Sequence, residues 1–142
     1  MLVFFNFKSW SKRFGPEFFT VKLLAFTVKL ESEESCCMPQ QYATFEMQVS
    51  AGNSSWVVSR RANDFYTLWS EVRHALSDAS VAPLPVPPPK TFGSNVSEFF
   101  LEGRKQLMSD FLEALLTQYN YAKGFSSARV KVEAFLGLPG DL

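Results

Sequence analysis

Val57-Val58-Ser59-Arg60-Arg61-Ala62-Asn63-Asp64-Phe65-Tyr66-Thr67-Leu68-Trp69 passes from a β-branched run into a helical pattern with no linker between the two. The first residues suit a pleated strand. Phe65, Leu68, Trp69, Val72 and Leu76 then recur on one helical stripe, with Asn63 or Asp64 placed to cap its start. Two arginines stand at the joint. A guanidinium there presents a planar fork of N–H donors suited to a bidentate acceptor such as a phosphate.

Upstream of the joint, Tyr42–Ser50 alternates, with Ala43, Phe45, Met47 and Val49 on one face. Ala51-Gly52-Asn53-Ser54 turns the chain into Ser55–Arg61. Two alternating runs separated by a short Gly-Asn turn predict an antiparallel hairpin. Phe18–Leu30 supplies a further strand, in which Phe18, Leu24, Phe26, Val28 and Leu30 share one parity. Thr20 and Lys22 interrupt that parity, so a bulge is expected near Lys22. Between these strands, Glu31–Gln41 reads as an acidic loop closed by Met38-Pro39. The result is a three-stranded antiparallel meander with one face that needs a cover.

The cover is helical. After the Phe65 stripe and a polar loop at Ser77–Ala82 comes Pro83-Leu84-Pro85-Val86-Pro87-Pro88-Pro89-Lys90, an extended polyproline II segment. Asn95 with Glu98 forms a capping-box pattern for a long helix to about Tyr119. Its expected apolar face is Phe100, Leu107, Met108, Phe111, Leu112, Leu115 and Leu116. Gly103 inside that helix costs about 1 kcal/mol against alanine, which predicts a close approach of another element. A last helix starts near Ser126, buries Val132, Phe135 and Leu136, and stops at Gly137-Leu138-Pro139-Gly140. Strands followed by helices make an α+β domain.

The totals bound the function. A chain of 142 residues points to one domain with a real core, and 15 phenylalanines load that core with aromatic rings. The formal net charge is zero, which argues against a nucleic-acid binder working through a broad basic face. Any anion site must be local. The two cysteines, Cys36 and Cys37, are adjacent, a poor disulfide framework that suits a reducing compartment and surface thiols. No apolar run approaches the roughly 20 residues needed to span a bilayer. Leu2–Phe7 lacks the basic region that precedes a signal sequence, so the glycosylation sequons at Asn53 and Asn95 carry no weight.

Residues 1–16 form a basic, aromatic arm ahead of the domain at 17–140. Val3, Phe7, Trp10 and Phe14 recur at helical spacing, with Lys8, Lys12 and Arg13 largely off that stripe. Two readings stand: an amphipathic helix for a membrane interface or an organellar address, or an arm packed on the domain.

No catalytic constellation is visible. There is no nucleophile elbow, phosphate-binding glycine loop or cysteine–histidine metal spacing, and the one histidine, His74, lies off the apolar stripe as a surface residue. No enzyme activity, cofactor or metal is expected. The remaining signal is cationic: Arg60-Arg61 at the strand end, Lys90 at the end of the proline run, and Arg104 one turn into the long helix. Gathered by the fold, they could line one anion pocket.

These motifs, in this order, resemble the PX (phox-homology) domain: the strand ending in Arg-Arg-x-x-Asp-Phe, Pro-x-x-Pro-x-Lys at Pro85–Lys90, and Arg104-Lys105-Gln106 before Phe111-Leu112. The closing Glu133-Ala134-Phe135-Leu136-Gly137 is similar to the family's usual ending, and the resemblance spans residues of about 18 to 138. It implies a three-stranded meander packed on a helical subdomain. It also implies a module that binds membrane phosphoinositides, most often phosphatidylinositol 3-phosphate on the cytoplasmic face of endosomes, as in sorting nexins. By position, the resemblance assigns Arg61 to the 3-phosphate, Lys90 to the 1-phosphate and Arg104 to the ring's 4- and 5-hydroxyls. Arg60 falls in a supporting place, and Val86 and Phe92, flanking the proline segment, are candidates for membrane insertion.

One position departs from the family pattern. An aromatic residue usually follows the phosphate-binding arginine and floors the inositol ring; here the residue is Ala62. Loss of that wall is worth on the order of 0.5–1.5 kcal/mol, and Tyr66, one helical turn on, is the candidate replacement. The alternative function is a protein-interaction module with weak or no lipid binding, in which Pro85, Pro88 and Lys90 form an SH3-domain ligand. The chain is expected to be a monomer, and a PX domain commonly belongs to a larger protein.

Overall fold

The computed structural model describes residues 3–11, 13–15, 17–30, 41–75, 98–121 and 126–138. The acidic 31–40 stretch, the 77–82 loop, the proline run with Pro85, Val86, Pro88 and Lys90, Phe92, and Asn95 of the capping box lie outside the described residues.

The elements are β1 (Val3–Phe4), β2 (Phe18–Leu30), β3 (Gln41–Ala51), β4 (Ser54–Arg61), α1 (Ala62–Ala75), α2 (Glu98–Tyr121) and α3 (Ser126–Leu136). The expected meander is present: β2, β3 and β4 pair antiparallel in sequence order. At its free edge β1 pairs parallel with β2, which makes the sheet four-stranded and mixed rather than three-stranded and antiparallel. The start of the arm is therefore a strand and not a helix. Val3 and Phe5 donate their amides to the carbonyls of Glu17 and Phe19, and Phe4 is buried with its ring 5.7 Å from Phe19. An isolated short helix gains less in water than this pairing supplies. Phe5, Phe14 and Phe18 close the arm into an aromatic cluster, and Asn6 Nδ2 donates to Glu113 Oε1 of α2 at 2.7 Å.

The hairpin register follows from its turn. Ala51 pairs with Ser54 across Gly52-Asn53, and Gly52 takes φ of 57° while Asn53 does not go positive, the pattern of a type II′ connection. Counting back, Phe45, Met47 and Val49 face the core, as their alternation predicts. In β2 the expected parity is overturned. Phe19, Val21 and Leu23 are buried, while Leu24 and Val28 are exposed. The register shift lies between Leu23 and Ala25, close to the bulge expected near Lys22, and only beyond it does the even parity turn inward and pack Phe26 on the core. An inserted residue swaps the faces of everything that follows.

Helix α1 buries Phe65, Leu68 and Val72 as expected. It starts at Ala62, ahead of both expected caps, and Asp64 caps it from inside: its Oδ2 accepts the Arg61 amide at 2.8 Å, the reach-back half of a capping box. The core stripe of α2 runs Leu101, Arg104, Met108, Phe111, Leu112, Leu115, Leu116 and Tyr119. Leu107, expected on it, is 52% exposed. Gly103 sits in open space: a Cβ there would meet nothing within 4 Å, so the expected close approach is absent. Helix α3 ends in a Schellman motif, with Leu138 N bonded to Glu133 O at 2.9 Å, Gly137 N to Ala134 O at 3.4 Å, and Gly137 at φ 69°.

Two glycine substitutions should therefore move stability in opposite directions. Gly103→Ala removes backbone freedom from the unfolded chain and meets no clash, so it should stabilise by about 0.5–1 kcal/mol. Gly137→Ala forces a left-handed φ and sets a Cβ 3.2 Å from Trp56 Nε1, so it should destabilise by about 1–2 kcal/mol. Urea denaturation of the two variants measures both.

Candidate functional site

The two arginines at the joint are adjacent on a strand, so they project to opposite faces of the sheet. Arg60 turns to the core side and serves α3. Its Nε donates to Phe135 O at 3.1 Å and its Nη2 to Ala134 O at 3.3 Å, with the guanidinium 5.6 Å from the Phe135 ring centre. Trp56, on the same face of β4, donates Nε1 to Leu136 O at 2.9 Å. With the Schellman bonds, all four terminal carbonyls of α3, from Glu133 to Leu136, have donors. Arg60 also places positive charge at the negative end of the helix dipole.

Arg61 points the other way and is exposed. It pairs with Thr44 on β3, and its guanidinium carbon lies 4.0 Å from the centre of the Tyr42 ring. Tyr42 is two residues before Thr44, so it shares the outer face and stands diagonally across from Arg61. Sequence reasoning missed this contact. The two-residue turn fixes the register that makes it, so counting back from Gly52-Asn53 would have found it.

Arg104 is on the core-facing stripe of α2 and only 8% exposed. A guanidinium so deeply set is held by hydrogen bonds or ion pairs rather than by bulk water. It lies seven residues, about 10 Å, ahead of Phe111, whose ring meets Phe65 at 6.5 Å. The joint and the first turns of α2 are thus fixed to one another through a shared core contact. Lys90, Val86 and Phe92 fall outside the described residues. Ala62 is half-buried against the core at the first position of α1, and Tyr66 is half-buried one turn on.

A concavity lies between α1 and α3, lined by Leu68 and Phe135 with Arg60, Asp64, Glu71 and Lys131 around it. It is a poor anion site. Two carboxylates face it, Arg60 is committed to backbone carbonyls, and Lys131 is paired with Glu71 at 3.7 Å. Arg61 stands on the opposite side of the joint.

The sequence model of the PX domain family matches residues 48–125. The chain belongs to the PX domain family. The match covers the hairpin return, the Arg60-Arg61 joint, the proline segment and all of α2. Solved PX domains share the fold. A designed CISK-PX domain aligns with TM-score 0.58 at 24% identity, over 82% of this chain and 96% of that one. The mouse SNX19 PX domain, solved with a bound sulphate ion, aligns with TM-score 0.50 at 16% identity, over 84% and 95% of the two chains. No curated protein matches the chain. PX domains are non-enzymatic, general phosphoinositide-binding modules that associate peripherally with membranes. Among the described residues, no helix is long and apolar enough to cross a membrane.

The division between the two arginines has a direct test. Arg60→Ala leaves α3 carbonyls without their donor and should cost about 2–3 kcal/mol of stability. Arg61→Ala removes an exposed side chain that stacks on Tyr42 and should cost no more than about 1 kcal/mol. Chemical denaturation of the two single variants gives both values.

Proposed function

We propose that this PX domain is a peripheral membrane-targeting module that reads phosphatidylinositol 3-phosphate on the cytoplasmic face of endosomal membranes, in sorting or signalling. The observation that carries the reading is the split at the joint. Arg60 is spent on the C-terminus of α3, while Arg61 is an exposed residue that leaves the sheet on the other face with its guanidinium against the Tyr42 ring. In a chain of zero net charge, such a fork at a strand end is a local anion site rather than part of a basic surface.

In this reading Arg61 takes the 3-phosphate bidentately, Lys90 holds the 1-phosphate as a point charge, and Arg104 bonds the 4- and 5-hydroxyls. Arg60 supports the site from behind. Val86 and Phe92 enter the bilayer interface beside the headgroup, and the domain acts as a monomer. The buried stem of Arg104 suits a hydroxyl contact, because a desolvated and fixed donor discriminates strongly between partners.

The second reading is the protein-interaction module, with Pro85, Pro88 and Lys90 docking on an SH3 domain. It is favoured by Ala62, which gives the site no ring where the family usually carries one.

Co-sedimentation with phosphatidylcholine vesicles, plain or carrying one phosphoinositide each, separates the two readings. The lipid reading predicts binding that is strongest with phosphatidylinositol 3-phosphate and at least tenfold weaker in Arg61→Ala, the worth of a charge-assisted bidentate contact. Equal pelleting with plain vesicles, or binding indifferent to Arg61→Ala, would contradict it. Capture by SH3 domains in the absence of lipid binding would establish the second.

A further inference from the structure

The aromatic surface next to the phosphate-binding arginine is supplied by β3 in this chain. Position 62, directly after Arg61, is an alanine packed against the core, so that position supplies no ring. Tyr42 fills that role from across the sheet. Its ring centre is 4.0 Å from the Arg61 guanidinium carbon, close contact for a cation over an aromatic face. The placement follows from the ladder: Thr44 is the partner of Arg61, Tyr42 lies two residues before it, and both side chains leave the sheet on the outer side.

The geometry points to Tyr42 as a positioning residue of the phosphoinositide site, a plate that orders the Arg61 fork before the headgroup arrives. This inference rests on the phosphoinositide reading above. The guanidinium is planar and its N–H donors lie in that plane. Stacking on a guanidinium face uses none of the in-plane donors, so it is compatible with bidentate phosphate binding. A long exposed arginine would otherwise lose rotamer freedom when it binds, and ordering it beforehand lowers that cost. The ring also excludes water from one side of the cation, which strengthens its attraction to a phosphate. Only the face of the ring is required, so the tyrosine hydroxyl should be dispensable.

The test uses the full chain and the series Tyr42→Leu, Tyr42→Phe and Tyr42→Trp. Leucine keeps apolar bulk, so the fold should persist, and thermal unfolding confirms this for each variant. One readout is the Arg61 Nε–Hε NMR resonance, shifted by the ring current of a stacked aromatic. The other is affinity for phosphatidylcholine vesicles carrying phosphatidylinositol 3-phosphate, with the soluble headgroup and inorganic phosphate as parallel arms. The expected result is a two- to fivefold loss in Tyr42→Leu, roughly what an exposed cation–π contact is worth, with a matching shift of the arginine resonance. Tyr42→Phe should behave as wild type and Tyr42→Trp should bind equally or more tightly. Headgroup affinity should follow the same order, and a response to inorganic phosphate alone would identify the ligand as free phosphate rather than lipid. Unchanged or tighter vesicle binding by Tyr42→Leu would overturn the inference while leaving the phosphoinositide reading intact. So would an equal loss in Tyr42→Phe, which would assign the effect to the hydroxyl. A wild-type domain that binds no phosphoinositide would overturn both.

Discussion

The structure depends on one ring. Phe65 is fully buried, and its ring meets Phe45 of β3 at 6.0 Å, Phe111 of α2 at 6.5 Å and Phe135 of α3 at 5.1 Å, each close to edge-on. Sheet, long helix and terminal helix all converge on a side chain from the first turn of α1. Removing such a ring typically costs about 3–5 kcal/mol, a large part of the 5–15 kcal/mol that holds a domain together. Phe65 is also four residues beyond Arg61, just over one helical turn, so the contact that assembles the core also sets where the site arginine stands.

The joint itself is held from three directions. Asp64 ties the Arg61 amide, Arg60 ties the end of α3, and the β3–β4 ladder runs as far as Arg61 opposite Thr44. A strand that enters a helix without a linker leaves little slack, and each of these bonds removes some of what remains. Arg61, an exposed residue, therefore projects from a rigid base that its neighbour Arg60 helps to build. Rigid placement of a fork raises its value for a tetrahedral anion, because little order has to be created on binding.

Much of this was legible in the sequence. The hairpin could be read from Gly52-Asn53, the inner faces of β3 and α1 from their periods, and the end of α3 from Gly137. The failures have physical causes. A bulge at Leu24 set Phe19, Val21 and Leu23 on the buried side of β2 ahead of it, so Leu24 is exposed, while Val28, on the inner face with Phe26, is exposed where the core ends. On α2 the apolar residues cover so much of the circumference that hydrophobicity alone could not separate exposed Leu107 from buried Leu101. Gly103 looked like a packing device and is only a gap in helix propensity. The arm carried a helical period, yet parallel pairing of Val3 and Phe4 with β2 drew it into the sheet. At the site, Arg60 and Arg61 were legible as a pair. The resemblance put Arg60 in a supporting place; that what it supports is the end of α3 needed the position of that helix, whereas the Tyr42 contact follows from the register that the Gly52-Asn53 turn sets.

The central claim is that the anion site lies on the outer side of the Arg60–Arg61 joint, on Arg61 and not on Arg60. Titration of isotope-labelled protein with the soluble headgroup of phosphatidylinositol 3-phosphate, followed by NMR, tests it most directly. The account predicts saturable shifts of the Arg61 side-chain resonance, the amides from Ser59 to Asn63 and those around Arg104, with Lys131 and the α1–α3 groove unmoved. Shifts centred on that groove, or none at saturating headgroup, would contradict it.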